Sequence, residues 1–237
     1  MVRNPKQDGS VLYDCIPQVG PCPNQCHECF YNRAGAFYLD IAQPHVPAPE
    51  TLPAGAIVRM NSGHDSNLQR ELVVRTAAQY DQVFFNTSLP TFDFPGPFVL
   101  TVNPKEEEVY HRPPTARMPK SLMFVRVRVS PSNRRLAQDA IWSWTSNGIP
   151  TVLTFMRYYD MPVPENKWPA VKTPYVFKQH ILNSYWCPTA AYTRAVMGVF
   201  ADNPLVSMCG GHEGGLCKTC RNCETYYLQS AKRLRGE

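Results

Sequence analysis

The chain lacks any apolar stretch approaching the roughly 20 residues of a membrane span. Its opening, Met-Val-Arg-Asn-Pro-Lys, leads into no apolar h-region, so no signal peptide is expected and the expectation is a reducing, cytoplasmic location without a membrane partner. Charged residues are scarce at 18%, against 43% hydrophobic, which excludes an intrinsically disordered chain and permits a sizeable core in 237 residues. There is no internal repeat and no low-complexity tract. The formal net charge of +5 is too mild to name a partner by itself. A local bias exists at 112–135, where Arg112, Arg117, Lys120, Arg126, Arg128, Arg134 and Arg135 occur with no acid among them. That stretch reads either as a solvated face or as a site for an anionic ligand or nucleic acid.

Cysteine, by contrast, is abundant: nine residues, and unevenly placed. Cys15, Cys22, Cys26 and Cys29 form one group, Cys209, Cys217, Cys220 and Cys223 another, and Cys187 stands alone. Tight groups without a secretion signal point to metal sites rather than to a disulfide framework. The 23 prolines concentrate in connecting stretches such as 43–53, 90–97, 113–119 and 161–174, which read as loops over one body.

Short apolar runs predict strands at 11–15, 56–60, 82–86, 98–102, 122–130 and 151–156. Helical periodicity predicts helices over 66–80 and 133–147, the latter with Ser132 as N-cap, Gly148 as its stop and Pro150 beyond. Further helices are expected at 104–110, 189–199 and 224–235. Strands separated by crossovers predict an α/β fold with a parallel sheet or partial barrel, and such sheets bind ligands at the carboxyl ends of their strands.

The run Cys22-Pro-Asn-Gln-Cys26-His-Glu-Cys29 follows the first strand candidate. Three closely spaced thiolates suit a 4Fe–4S cluster with one iron lacking a protein ligand. This C-x3-C-x2-C loop resembles that of the radical S-adenosylmethionine superfamily. The resemblance implies a partial (β/α)6-type parallel barrel over residues 1–160, followed by a cysteine-rich C-terminal extension over 161–237. It implies that Cys22, Cys26 and Cys29 hold the cluster and that its open iron chelates S-adenosylmethionine. One electron, from a reductant such as flavodoxin or ferredoxin, then cleaves the cofactor to a 5′-deoxyadenosyl radical that abstracts hydrogen from substrate. Phe30 would lie near the adenine. The chain departs from the family in having Glu28, where an aromatic residue is common before the third cysteine. The alternative from the residues alone is a zinc site using Cys15, Cys22, Cys26 and Cys29, although Cys15 falls inside a strand and reads better as core.

After the second strand candidate comes Met60-Asn61-Ser62-Gly63-His64-Asp65. By the resemblance this turn receives the cofactor's amino group, through Asn61, Ser62, the backbone at Gly63, and Asp65; its other reading is a polar turn capping the next helix. On the fifth strand candidate, period-2 alternation puts Arg126, Arg128 and Ser130 on one face and Val125, Val127 and Val129 on the other. If the polar face lines a cavity, it suits a carboxylate, a ribose or an anionic substrate group. Thr154, Met156 and Arg157 end the last strand candidate.

The tail run Cys217-Lys-Thr-Cys220-Arg-Asn-Cys223 matches the first three ligands of a ferredoxin-type cluster, with Cys209 favoured as the fourth ligand and Cys187 as its rival. A second 4Fe–4S cluster is expected there, with zinc as the alternative metal. The functional expectation is a radical enzyme with an unidentified substrate: nucleotide, nucleic acid, peptide or small metabolite. The competing classes are a zinc-stapled nucleic-acid-binding protein and a two-cluster electron carrier.

Overall fold

The computed structural model describes residues 4–24, 43–104, 118–158, 174–178, 185–211 and 215–237. The fold is α/β, built on a seven-stranded, wholly parallel sheet curled into a half-barrel. Strands β1 (Leu12–Cys15), β2 (Ile57–Met60), β3 (Val83–Thr87), β4 (Phe98–Val102), β5 (Leu122–Val129) and β6 (Thr151–Phe155) lie side by side in chain order. Between them, α1 (Arg70–Ala77) links β2 to β3 and α2 (Arg134–Ser146) links β5 to β6. An antiparallel hairpin follows, β7 (Tyr175–Lys178) and β8 (Tyr185–Pro188), then α3 (Ala190–Gly198). Strand β9 (Val206–Met208) adds to β6 as the seventh strand, and the chain finishes with the single turn α4 (Cys217–Cys220) and α5 (Asn222–Arg235).

The strands carry Val, Ile, Leu and Phe on both faces, as a sheet covered on both sides requires. The convex face packs Val58, Met60, Phe85, Leu100, Val125, Val127 and Val129 against Val73 of α1, Ala137, Ile141 and Trp144 of α2, and Val196 of α3. The concave face has an apolar floor of Leu12, Ile57, Phe84, Val99, Met123, Phe124 and Val152. Helix α5 covers that floor: Tyr227 meets the Phe84 ring at 6.2 Å and Tyr226 meets Phe124 at 5.2 Å. Two bonds to the lower strand ends pin it, Ser230 Oγ to Ser121 O at 3.3 Å and Arg233 Nη2 to Leu122 O at 2.8 Å. Both the seventh strand and the helix over the floor therefore come from the 161–237 stretch, and in space they belong to the half-barrel body.

The register between β4 and β5 slips between Phe98 and Val99, which pair with Leu122 and Phe124. This bulge lets Met123 and Phe124 both turn inward, while regular alternation from Phe124 sends Arg126 and Arg128 to the concave side and the valines to the helices.

Several local expectations need correction. The helix expected over 66–80 begins only at Arg70, because Gln69 adopts a left-handed conformation at φ 51°. Helix α2 starts after Asn133, not with Ser132 as cap: Asn133 Oδ1 accepts from Ser130 N, and Ser130 Oγ accepts from Asn133 N. Gly148 does end α2, at φ 73° with its N–H donating to Thr145 O, a geometry that favours glycine. The hairpin and β9 had no expectation, and the helix expected at 104–110 lies outside the described residues apart from Pro104. Among the described residues no helix is long and apolar enough to cross a membrane.

Tyr227 is 6% exposed and closes the floor. Tyr227→Ala should lower unfolding free energy by about 3 kcal/mol, read from urea denaturation. On the same helix Leu228 is 47% exposed. Leu228→Ala should change stability by no more than ~0.5 kcal/mol.

Candidate functional site

A cavity of about 790 Å³ opens at the carboxyl ends of the strands, above the floor made by α5. Each wall arises from a strand end. The segment after β1 contributes Cys22; the turn after β2 contributes Asn61 to Asp65; β3 contributes Asn86 and Thr87; β5 contributes Arg126 and Arg128; β6 contributes Thr154. The tail adds Cys209, Cys217, Cys220 and Cys223 to the same cavity. The structure thus brings together residues 187 positions apart in sequence, from Cys22 to Cys209. Cys26, Cys29 and Phe30 lie outside the described residues, as do His212 and Glu213.

The segment bearing Cys22 is held at its base. Ile16 and His45 exchange two backbone hydrogen bonds of 2.8 Å, which close the neck of the long connection after β1. Buried Gln18 donates to Leu68 O at 2.8 Å, and Asn24 donates to Ser88 Oγ at 2.8 Å. Ser88 in turn donates to Asp65 through Oγ at 2.9 Å and through its backbone N at 2.6 Å. Asp65 also accepts from Thr87 Oγ1 and Asn67 N, both at 2.9 Å.

The expectation that Asp65 receives a cofactor amino group is therefore corrected. Its carboxylate already accepts four hydrogen bonds in a buried position, so it works as a strut joining the turn after β2 to the end of β3. Ser130 is corrected as well: it is fully buried, bonds locally to Asn133 and Ser132, and does not reach the cavity wall. Asn61 keeps its expected place. It sits at φ 60°, a conformation that costs about 1 kcal/mol and that asparagine tolerates better than most residues. Its Nδ2 donates to Ser66 Oγ at 3.2 Å, while Oδ1 is a buried acceptor on the cavity wall with no partner among the described residues. Thr154 Oγ1 is another such atom. Ser62 and Gly63 line the cavity, and so does His64, whose imidazole pKa is lowered first by burial.

Below this rim the tail cysteines meet a ring of cations that the sequence did not assemble. Arg126 bonds Asn86 Oδ1 at 3.2 Å and Cys223, and Arg59 and Lys6 add their charges beside the thiols. Arg59 is oriented by Asp14, its register partner on β1, at 2.7 Å. Asp14 is held further by Gln7 at 2.7 Å and Asn4 at 3.3 Å. Cys209 faces open cavity space although it lies deep in the body. The Cys220 thiol donates to it, and with Arg126, Lys6 and Arg59 this lowers the Cys209 pKa to about 5 against the cost of burial. The same bond, with burial, raises the Cys220 pKa. Cys187 reaches the cavity from β8, but it is Cys209 that bonds Cys220. Cys15 belongs to the convex core, where burial pushes its thiol up to about 12 and Tyr80 Oη lies 3.8 Å away. It thus points away from the face that Cys22 lines.

Among the described residues no three His, Cys, Asp or Glu side chains converge as ligands of one metal ion. A single zinc with Zn–S bonds of about 2.3 Å would need its thiolates about 3.8 Å apart. The chain matches no protein-family model, no curated protein and no solved structure.

Two measurements check these assignments. Asp65→Ala strands three donor residues around a buried site and should cost about 3 kcal/mol in urea denaturation, whereas Asn61→Gly, which keeps the left-handed backbone without strain, should cost less than about 1 kcal/mol. In metal-free protein at mildly acidic pH, Cys209, whose pKa is lowered by the Cys220 hydrogen bond and the nearby cations, should be alkylated before Cys217, Cys223 and Cys15, as read by peptide mass mapping. Cys220→Ala removes the donor to Cys209 and should slow that labelling.

Proposed function

We propose that this protein is a radical S-adenosylmethionine enzyme with a second iron–sulfur centre in its tail. The observation that carries the reading is that the Cys22 segment, the Asn61–Asp65 turn and the tail cysteines all face one cavity at the carboxyl edge of a parallel half-barrel. That edge is where such sheets gather ligands.

The residues fit the groups implied. Cys22 stands at the mouth of the triplet loop, and Cys26 and Cys29 complete the proposed ligand set. Asn61 Oδ1 presents an unmatched buried acceptor for an amino group, and Arg128 presents a guanidinium for a carboxylate. In the tail, Cys209, Cys217, Cys220 and Cys223 supply four thiols, and Lys6, Arg59 and Arg126 offset the negative charge of a thiolate-ligated centre. The first turn of α5 adds its positive dipole end beside Cys223.

Cys22, Cys26 and Cys29 would hold the triplet cluster, which would pass one electron, taken from a reductant of the flavodoxin or ferredoxin class, to S-adenosylmethionine for its cleavage to methionine and the 5′-deoxyadenosyl radical. The chain's own residues do the rest. Asp65 fixes the base of the Cys22 loop, Asn61 and Arg128 orient the cofactor's amino acid end, and α5 with its apolar floor excludes water from below. The substrate enters from the open rim and faces the cofactor across the cavity.

Anaerobically reconstituted protein should be brown, hold about eight irons and eight sulfides per chain, and release 5′-deoxyadenosine under reductant. Cys26→Ala should abolish that release. Cys220→Ala should lower the iron count towards about four while leaving the triplet cluster in place. Colourless, iron-free protein after reconstitution would sink the proposal.

A further inference from the structure

The cations around the cavity outnumber what the cysteines and cofactor require. Its wall contains Lys6, Arg59, Arg126, Arg128, Arg157, Lys178 and Arg221, against Asp65 as the lone carboxylate among the described lining residues. Asp65 is tied by four hydrogen bonds to the turn after β2 and the end of β3, well along the sheet from β6. Arg59 is matched by Asp14, and Arg221 is matched by Glu224 at 2.9 Å. Arg126 bonds Cys223, and Arg128 is assigned above to the cofactor. Lys6 serves the tail thiols, so Arg157 and Lys178 remain, and among the described residues neither pairs with a carboxylate.

Arg157 and Lys178 are connected through one aromatic ring. Lys178 and Tyr185 are direct partners across the β7–β8 hairpin, so their side chains share a face. The Arg157 guanidinium lies over the Tyr185 ring, 5.5 Å from its centroid. Arg157 is also near enough to Lys6 that its charge, after burial, lowers the lysine's pKa. The hairpin is firmly docked on the exit of β6. Tyr158 and Trp186 exchange backbone bonds of 3.1 and 2.8 Å, and Tyr175 Oη donates to Met156 O at 2.8 Å. Like charges gathered against one preorganised wall repel one another unless an anion joins them.

We infer that Arg157 and Lys178, set on the β6–hairpin wall, form the subsite for a phosphate group of the substrate, so that the enzyme acts on a small phosphate ester. Two cations call for more than the single charge of a carboxylate, and a phosphate monoester carries about −1.5 to −2 at neutral pH. The wall stands at the β6 side of the half-barrel and Cys22 at the β1 side, so phosphate binding orients the rest of the substrate across the cavity towards the cofactor. The role as substrate subsite rests on the radical-enzyme reading; the anion site itself does not.

The test is isothermal titration of anaerobically reconstituted protein with inorganic pyrophosphate, inorganic phosphate and acetate. Pyrophosphate should bind at one equivalent per chain, phosphate more weakly, and acetate not at all. Lys178→Ala, at an exposed hairpin position, should weaken pyrophosphate binding by about tenfold, and Arg157→Gln by at least as much. Arg75→Ala, on the exposed side of α1, should leave it unchanged. S-adenosylmethionine binding should be unaffected by Lys178→Ala. If that variant binds pyrophosphate like the parent, or if acetate binds as well as pyrophosphate, the phosphate subsite is overturned. Intact phosphate binding with no 5′-deoxyadenosine release would overturn the radical reading alone.

Discussion

Everything at the candidate site depends on the burial of α5 against the concave floor of the sheet. A half-barrel whose inner face carries Leu12, Ile57, Phe84, Val99 and Phe124 cannot leave that surface wet. Fully burying each such side chain contributes about 1.5–3 kcal/mol. Helix α5 supplies the cover, and so its first turn, which carries Cys223, stands at the base of the cavity rather than on the outside of the protein. Strand β9 enforces the same placement from the other side. It pairs with β6, and Cys209 N then donates to Leu153 O at 2.8 Å, so Cys209 follows directly from the sheet edge. The tail cysteines are gathered by folding of the barrel itself, and any metal they bind is linked to barrel stability.

The second constraint is Asp65. A carboxylate that accepts from Ser88, Thr87 and Asn67 ties the turn after β2 to the end of β3, and through Ser88 it reaches Asn24, two residues beyond Cys22. With the carboxylate oxygens engaged in these bonds, the groups this turn presents to the cavity come from its neighbours. Asn61 holds a strained left-handed backbone and leaves Oδ1 unmatched on the wall. Strain and an orphaned acceptor in one residue are what a structure retains for a bound group, since packing alone would favour a glycine and a satisfied atom.

Much of this fold is legible in local pattern. The expected strands at 98–102 and 151–156 coincide with β4 and β6 to within a residue, and the alternation after Phe124 correctly assigns Arg126 and Arg128 to the concave side. Local pattern fails where the deciding partner is distant. Nothing around Asp65 announces that Ser88 will take its oxygens, and the Ser130 hydroxyl is claimed by a turn three residues on. The three-residue strand β9 carries no period at all and exists because the open edge of β6 accepts it. The tail is the clearest case. Its C-x2-C-x2-C spacing reads as a metal site, but the spacing is silent on location, and only the apolar stripe of α5 against the floor puts it inside the barrel.

Charge then divides the cavity. Towards β1 and β2 the wall offers acceptors and a thiol: Asn61 Oδ1, Ser62, the exposed backbone at Gly63, and Cys22. Towards β5, β6 and the hairpin it offers guanidinium and ammonium groups. A zwitterionic cofactor bound between them would meet an acceptor for its ammonium on one side and a cation for its carboxylate on the other. Its orientation would be set by electrostatics before any close contact forms. The same asymmetry has a cost, since cations held together without carboxylates weaken the empty protein. A fold keeps such a wall only where a bound anion repays it, and the lower ring already serves the thiolates. On the proposed function, the charge at Arg157 and Lys178 is the part of this cavity left for a substrate anion.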